Sequence, residues 1–197
     1  MRQVRTVGMQ KKMKYTVSHD GRTKTYVAIR HTANYLLSLA KASREGSLLN
    51  LQAASVFYAF AFEAYLNHVG AEELPFWAEI DRISYFKKLN VISKHLGLEA
   101  DQGKPPFQII RELFELRNML AHGRTLDIDV TYETDCEPDD MDSWLIHDWE
   151  KLTAEKVDLF ATDVTAAIEI INNARHTPDK GFELWNEWGR GRIVRTT

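Results

Sequence analysis

Cysteine is nearly absent: Cys136 stands alone in 197 residues, which excludes an internal disulfide framework and a cysteine-rich zinc site. Long apolar runs are missing too. The longest, Ala53 to Phe62, falls far short of the roughly 20 residues of a membrane span and is followed by Glu63. The basic N-terminus has no apolar h-region behind it, so no secretory signal is expected, and a reducing cytoplasm is the expected compartment. Internal repeats, low-complexity tracts and a Gly-rich phosphate loop are also lacking.

What is present is an ordinary globular composition. With 44% hydrophobic and 27% charged residues the chain can bury a real core, as one domain with extensions. The net charge of -3 is unevenly spread. Residues 1–31 carry eight Lys and Arg against Asp20 alone, whereas Thr125 to Glu150 holds ten acids and neither Lys nor Arg. Such runs are most often solvated surface, but the two could attract one another within or between chains, or the basic one could meet phosphate.

Periodicity predicts helices. Tyr26, Ile29, Ala33, Leu36, Leu37 and Ala40 keep a 3.6-residue spacing, with Gly46 closing the segment. Ser47 to Val69 is apolar nearly all round through AASVFYAFAFEAYL, the pattern of a buried central helix. A third helix is expected from about Pro75 to Leu96, with Gly97 as its cap, and a fourth from Pro105 and Pro106 to Ala121. Thr153 caps a fifth, whose stripe is Val157, Phe160, Ala161, Val164, Ile168 and Ile171. Ahead of it, TLDIDVTYE alternates like a short strand and gives way to the acidic stretch TDCEPDDMD. Near the start, KYTVSHDGRTKTYV reads either as a hairpin turning at Asp20-Gly21 or as a lead-in to the first helix. The aromatic and basic tail after Arg175 loses periodicity, with Trp185 and Trp188 placed to fasten it to the body or to a partner. The expected organisation is a basic extension over 1–24, a helical domain over 25–175 and a tail over 176–197.

The fourth helix carries the oddity. At 100° per residue, Ile110, Leu113, Phe114, Arg117 and Ala121 share one face, so an arginine occupies a core-facing slot and needs a partner or an interface. Glu115, Asn118 and His122 form a second line beside it. His122 falls about 140° around the helix from Arg117, so the two can share a cleft only near the end before Gly123. That end is the negative pole of the helix dipole, which favours a protonated imidazole.

The sequence RNMLAH, Arg117 to His122, late in a helical bundle, resembles the signature of the HEPN superfamily, and FEAYLNHVG with Glu63 is similar to the second helix of such proteins. The resemblance covers roughly residues 25–175. It implies an all-α, HEPN-like bundle of four to five helices, with a short β-like insertion before the last. It also implies metal-independent endoribonuclease activity across a homodimer, in a toxin–antitoxin, abortive-infection or antiviral defence role, with RNA as substrate and an antitoxin or other protein as partner. Arg117 and His122 would be catalytic, with Asn118 and Glu63 in support. Arg124 stands where some members carry a modifiable tyrosine, and would instead add to phosphate binding.

These residue types suit the chemistry, since metal-free cleavage needs a base for the 2′-hydroxyl, an acid for the 5′-oxygen and positive charge at phosphorus. No cofactor, metal or membrane association is expected. Asp127, Asp129 and Asp135 lack the Gly-Ser element that precedes the acidic pair of a nucleotidyltransferase. Two other readings stand. Arg117 could pair with Glu63 as a structural ion pair, with His122 as a helix cap, or the chain could be a non-catalytic HEPN-like interaction protein.

Overall fold

The computed structural model describes residues 14–123 and 152–196. The expected strand TLDIDVTYE and the acidic stretch after it lie outside the described residues, as does most of the basic N-terminal segment.

The architecture is built around α2 (Ser47–Glu73), whose buried residues, from Leu51 through Tyr58, Phe62 and Leu66 to Gly70, cover about half of its circumference, while much of the rest is only partly exposed. A helix this apolar needs neighbours over most of its surface. It is packed by α1 (Thr25–Ala42), α3 (Trp77–Ile80), α4 (Tyr85–Leu96), α5 (Phe107–His122) and α6 (Ala154–Ala174). The all-α expectation therefore holds for the body, with five long helices and two single-turn ones among the described residues.

Side-chain contacts give the directions. Tyr58 donates to Asn34 while Tyr65 stacks edge-on against Tyr26, so α1 runs antiparallel to α2. Phe62 against Phe114 and Phe60 against Arg117 make α5 antiparallel as well. Lys88 to Glu63 and His95 to Glu73 make α4 parallel to α2, and Arg30 to Thr165 with Lys41 to Asp158 gives α6 the same sense. The C-terminal ends of α2, α4 and α6 thus gather at one end of the bundle. The C-terminus of α5 lies at the other.

Most of the helix limits follow the pattern. Thr153 Oγ1 accepts from the Lys156 amide as the α6 cap, and Val157, Phe160, Val164, Ile168 and Ile171 are buried as the stripe requires. Gly97 ends α4 with φ 64°, the left-handed turn that glycine adopts without strain. Gly46, with φ 70°, leads into α2 instead of ending α1, which stops at Ala42.

Two expectations are corrected. The third helix is broken, because the chain turns through Asp81 to Ile83 and restarts from an extended Ser84, a residue type suited to helix starts. The Asp20-Gly21 hairpin does not form. Those residues lie inside β1 (Lys14–Arg22), which pairs antiparallel with β2 (Trp188–Thr196), Asp20 opposite Arg190 and Gly21 opposite Gly189. A local turn needs a second strand immediately after it, and from Thr25 that chain is already α1. Between α6 and β2, the single turn α7 (Gly181–Trp185) fastens the tail. Trp185 covers the Arg30 guanidinium at 4.1 Å and meets Tyr26 edge-on. Among the described residues no helix is long and apolar enough to cross a membrane.

The approach of α3 to α2 depends on Gly70, where an added Cβ would stand 2.2 Å from the Trp77 ring. Gly70→Ala should therefore destabilise the fold by about 1–3 kcal/mol, although alanine is the better helix former by about 1 kcal/mol. Urea titration at fixed pH measures this, and a variant as stable as the parent would contradict the close packing.

Candidate functional site

Along α5, Ile110, Leu113 and Phe114 are almost fully buried, Arg117 is half-buried, and Ala121 is exposed, so the apolar stripe runs out at the arginine. The guanidinium leans toward the Phe60 ring, 5.5 Å from its centroid, and donates from Nη1 to Asn118 Oδ1 at 2.9 Å. Its Nε is buried without a hydrogen-bond partner, and among the described residues no carboxylate forms a salt bridge with Arg117. Phe60 beside it is partly exposed, as is Met119 on the α6-facing side of α5.

Glu63 does not hold Arg117. It accepts from Lys88 at 2.7 Å, and that ammonium is 3% exposed, so the acid is taken up by a buried lysine of α4. His122, Asn118 and Glu115 are all exposed on the second line of α5, and among the described residues no hydrogen bond or ion pair joins His122 to Arg117. Arg124 lies outside the described residues. The helix therefore brings Arg117 and Asn118 together directly, while His122 stands a turn further on, facing solvent. Between α5 and α6, a cavity of about 430 Å³ is lined by Glu112, Glu115, Leu116, Met119, Leu152, Lys156 and Phe160, and its two acids make it a poor seat for phosphate.

The opposite end of the bundle holds an ionic cluster that sequence patterning does not reveal. Arg175, 1% exposed, donates to Glu72, to Glu73 Oε1 at 3.2 Å and lies 3.5 Å from Asp179. Lys24, equally buried, reaches Asp179 at 2.9 Å and the Glu183 carbonyl, while its amide donates to Glu187. Asn172 clasps the Asp179 backbone through both side-chain atoms, at 3.0 Å each way. Arg22 adds a second cation on Glu72. The only sequence signal is that Lys24 and Arg175 abut the two ends of the periodic region.

Burial raises the Glu73 carboxyl, but hydrogen bonds from His176 and Arg175 outweigh it and hold the group below its ordinary value. Asp179 is likewise held down by Lys24 and Arg175 against its burial. His68 goes the other way. Burial first, then the Arg175 charge, push its pKa down to about 4 although Asp179 stands 3.5 Å away. No family model, curated protein or solved structure matches the chain.

Two stability predictions follow from this cluster. Arg175→Ala strands Glu72, Glu73 and Asp179 and should cost about 3–5 kcal/mol by urea titration; a loss below about 1 kcal/mol would mean the network is not holding the end together. For His68 the unfolded ring takes its proton near pH 6.5, whereas the folded ring resists until about 4. Its contribution is therefore complete above pH 6.5 and lost as pH falls to 4. With partial solvent screening this amounts to roughly 2 kcal/mol. His68→Gln should flatten the stability profile in that window, leaving the acid limb of Glu73 and Asp179 below it; an unchanged slope would assign the loss to other groups.

Proposed function

We propose that the chain is a metal-independent endoribonuclease of the HEPN type, working as a homodimer in which Arg117 and His122 of two copies meet over the RNA. The observation that carries this reading is the Arg117 guanidinium: half-buried at the end of an apolar stripe, with a buried Nε and no carboxylate salt bridge among the described residues. A cation so placed has the capacity to take an anion, and its planar fork suits two phosphate oxygens. Partly exposed Phe60 beside it suits a seam between two copies.

In that arrangement one His122 takes the 2′-hydroxyl proton as the 2′-oxygen attacks phosphorus. The bond to the 5′-oxygen breaks, and the mate's His122 supplies the proton to that leaving group. Arg117 steadies the negative charge of the phosphorane, with Asn118 holding the guanidinium through its Oδ1. Products are a 2′,3′-cyclic phosphate and a 5′-hydroxyl. A defence or toxin–antitoxin setting belongs to the same proposal. The competing reading is a non-catalytic interaction protein, favoured by the same partly exposed Phe60, which would serve a protein partner as well.

Purified protein incubated with mixed RNA and a chelator at 25 °C should cleave it and leave cyclic-phosphate ends. His122→Ala and Arg117→Ala should each lower the rate by about 10²–10⁴-fold. Because Arg117 forms no described salt bridge, its removal should leave stability within about 1 kcal/mol, unlike removal of Arg175. Light scattering should give a dimer. Full activity in both variants, or a monomer that still cleaves, would defeat the proposed site.

A further inference from the structure

We propose that Glu73, His95 and His176 bind a divalent transition-metal ion of the zinc class, which clamps together the C-terminal ends of α2, α4 and α6. Glu73 is the last residue of α2, His95 the last but one of α4, and His176 lies two residues beyond α6. Their ligand atoms all fall within 4.8 Å of one another. Glu73 Oε2 stands 2.9 Å from His176 Nδ1 and 3.9 Å from His95 Nε2. Neighbouring donors on a tetrahedral zinc ion, with bonds of about 2.0–2.1 Å, sit about 3.3 Å apart. Of the two Glu73 spacings, one must open and the other close by roughly half an ångström, and the His95–His176 spacing, within 4.8 Å, must also shorten, all within reach of two partly or largely exposed imidazoles.

The surroundings favour a cation. Three helices present their negative poles here, each favouring positive charge in its last turn. The carboxylate is oriented through its other oxygen, Oε1, by Arg175 Nε, the kind of outer contact that aims a metal ligand. Arg175 is also matched by Glu72 and Asp179, so it engages Glu73 through Oε1 alone and leaves Oε2 for a ligand. Two imidazoles and one carboxylate select zinc, copper or nickel over calcium and magnesium, which require more oxygen donors. On binding, His176 ligates through a deprotonated Nδ1 with its ring hydrogen on Nε2, so its hydrogen bond to Glu73 is replaced by the metal and any second ring proton passes to solvent, while the fourth position stays open to water on the exposed side.

The ion would be remote from Arg117. Phe60, which Arg117 touches, precedes Glu73 by thirteen positions, about 20 Å along the helix. The clamp would therefore act on stability and leave the proposed cleavage unaffected.

Tag-free protein stripped with a chelator and titrated calorimetrically with Zn²⁺ should take up one equivalent per chain at micromolar affinity or tighter. Co²⁺ should give the visible bands of a four-coordinate ion, and saturation should raise the Tm. His176→Ala, which alters a largely exposed side chain, and His95→Asn should each weaken binding on the order of 100-fold. If His95→Asn fails to fold, by far-UV circular dichroism, His176→Ala decides alone. Absence of micromolar binding, or binding that survives His176→Ala undiminished, overturns the proposal.

Discussion

The buried guanidinium of Arg175 is the interaction on which one end of this molecule depends. It follows α6 directly, pairs with the last two residues of α2, and shares Asp179 with Lys24, the residue that precedes α1. Three segments remote in sequence are fixed by one charge and its acids. A buried ion pair adds little over apolar packing, but once built it penalises any arrangement that leaves a charge unmatched. The α1 entry, the α2 and α6 exits and the α7 turn are consequently set together, and β1 and β2, which flank them, are brought into register.

The chain directions explain why this charge cluster sits where it does. With α2, α4 and α6 parallel, three negative helix poles converge, and the residues placed among them include Arg175, Lys24, His68, His95 and His176. A long apolar α2 requires neighbours over most of its length, and charges sit at its ends or where a partner reaches in, as Lys88 reaches Glu63.

What the sequence made legible is what short-range periodicity can carry. The all-round apolar α2, the α6 stripe with its Thr153 cap and the intrusion of Arg117 into the α5 face all follow from spacing. The break after Ile80 escaped because Pro75 to Leu96 keeps a helical apolar rhythm through a turn. The hairpin at Asp20-Gly21 was misplaced because its true partner strand lies some 170 residues away, and no local signal reports such a pairing. The pairing of Glu63 with Arg117, expected from the resemblance and from a structural ion pair, is not legible from sequence, because Lys88, remote in sequence from Glu63, takes the acid instead. The Arg175 cluster and the Glu73, His95 and His176 group were invisible for the same reason, since their members are scattered along the chain.

Arg175 and Arg117 each adjoin an apolar stripe, and their surroundings differ. Arg175 is matched by Glu72, Glu73 and Asp179, so its charge is spent on the fold and no further anion is needed. Arg117 has a side-chain amide, an aromatic face and a buried Nε without a partner, so among the described residues its charge is not offset by a carboxylate. A fold that neutralises one arginine threefold has no physical bar to supplying an acid for the other. Glu63 lies on the adjoining helix yet is committed to Lys88. That asymmetry supports reading Arg117 as a cation kept for an external anion, and phosphate is the anion its fork and the neighbouring histidine suit best.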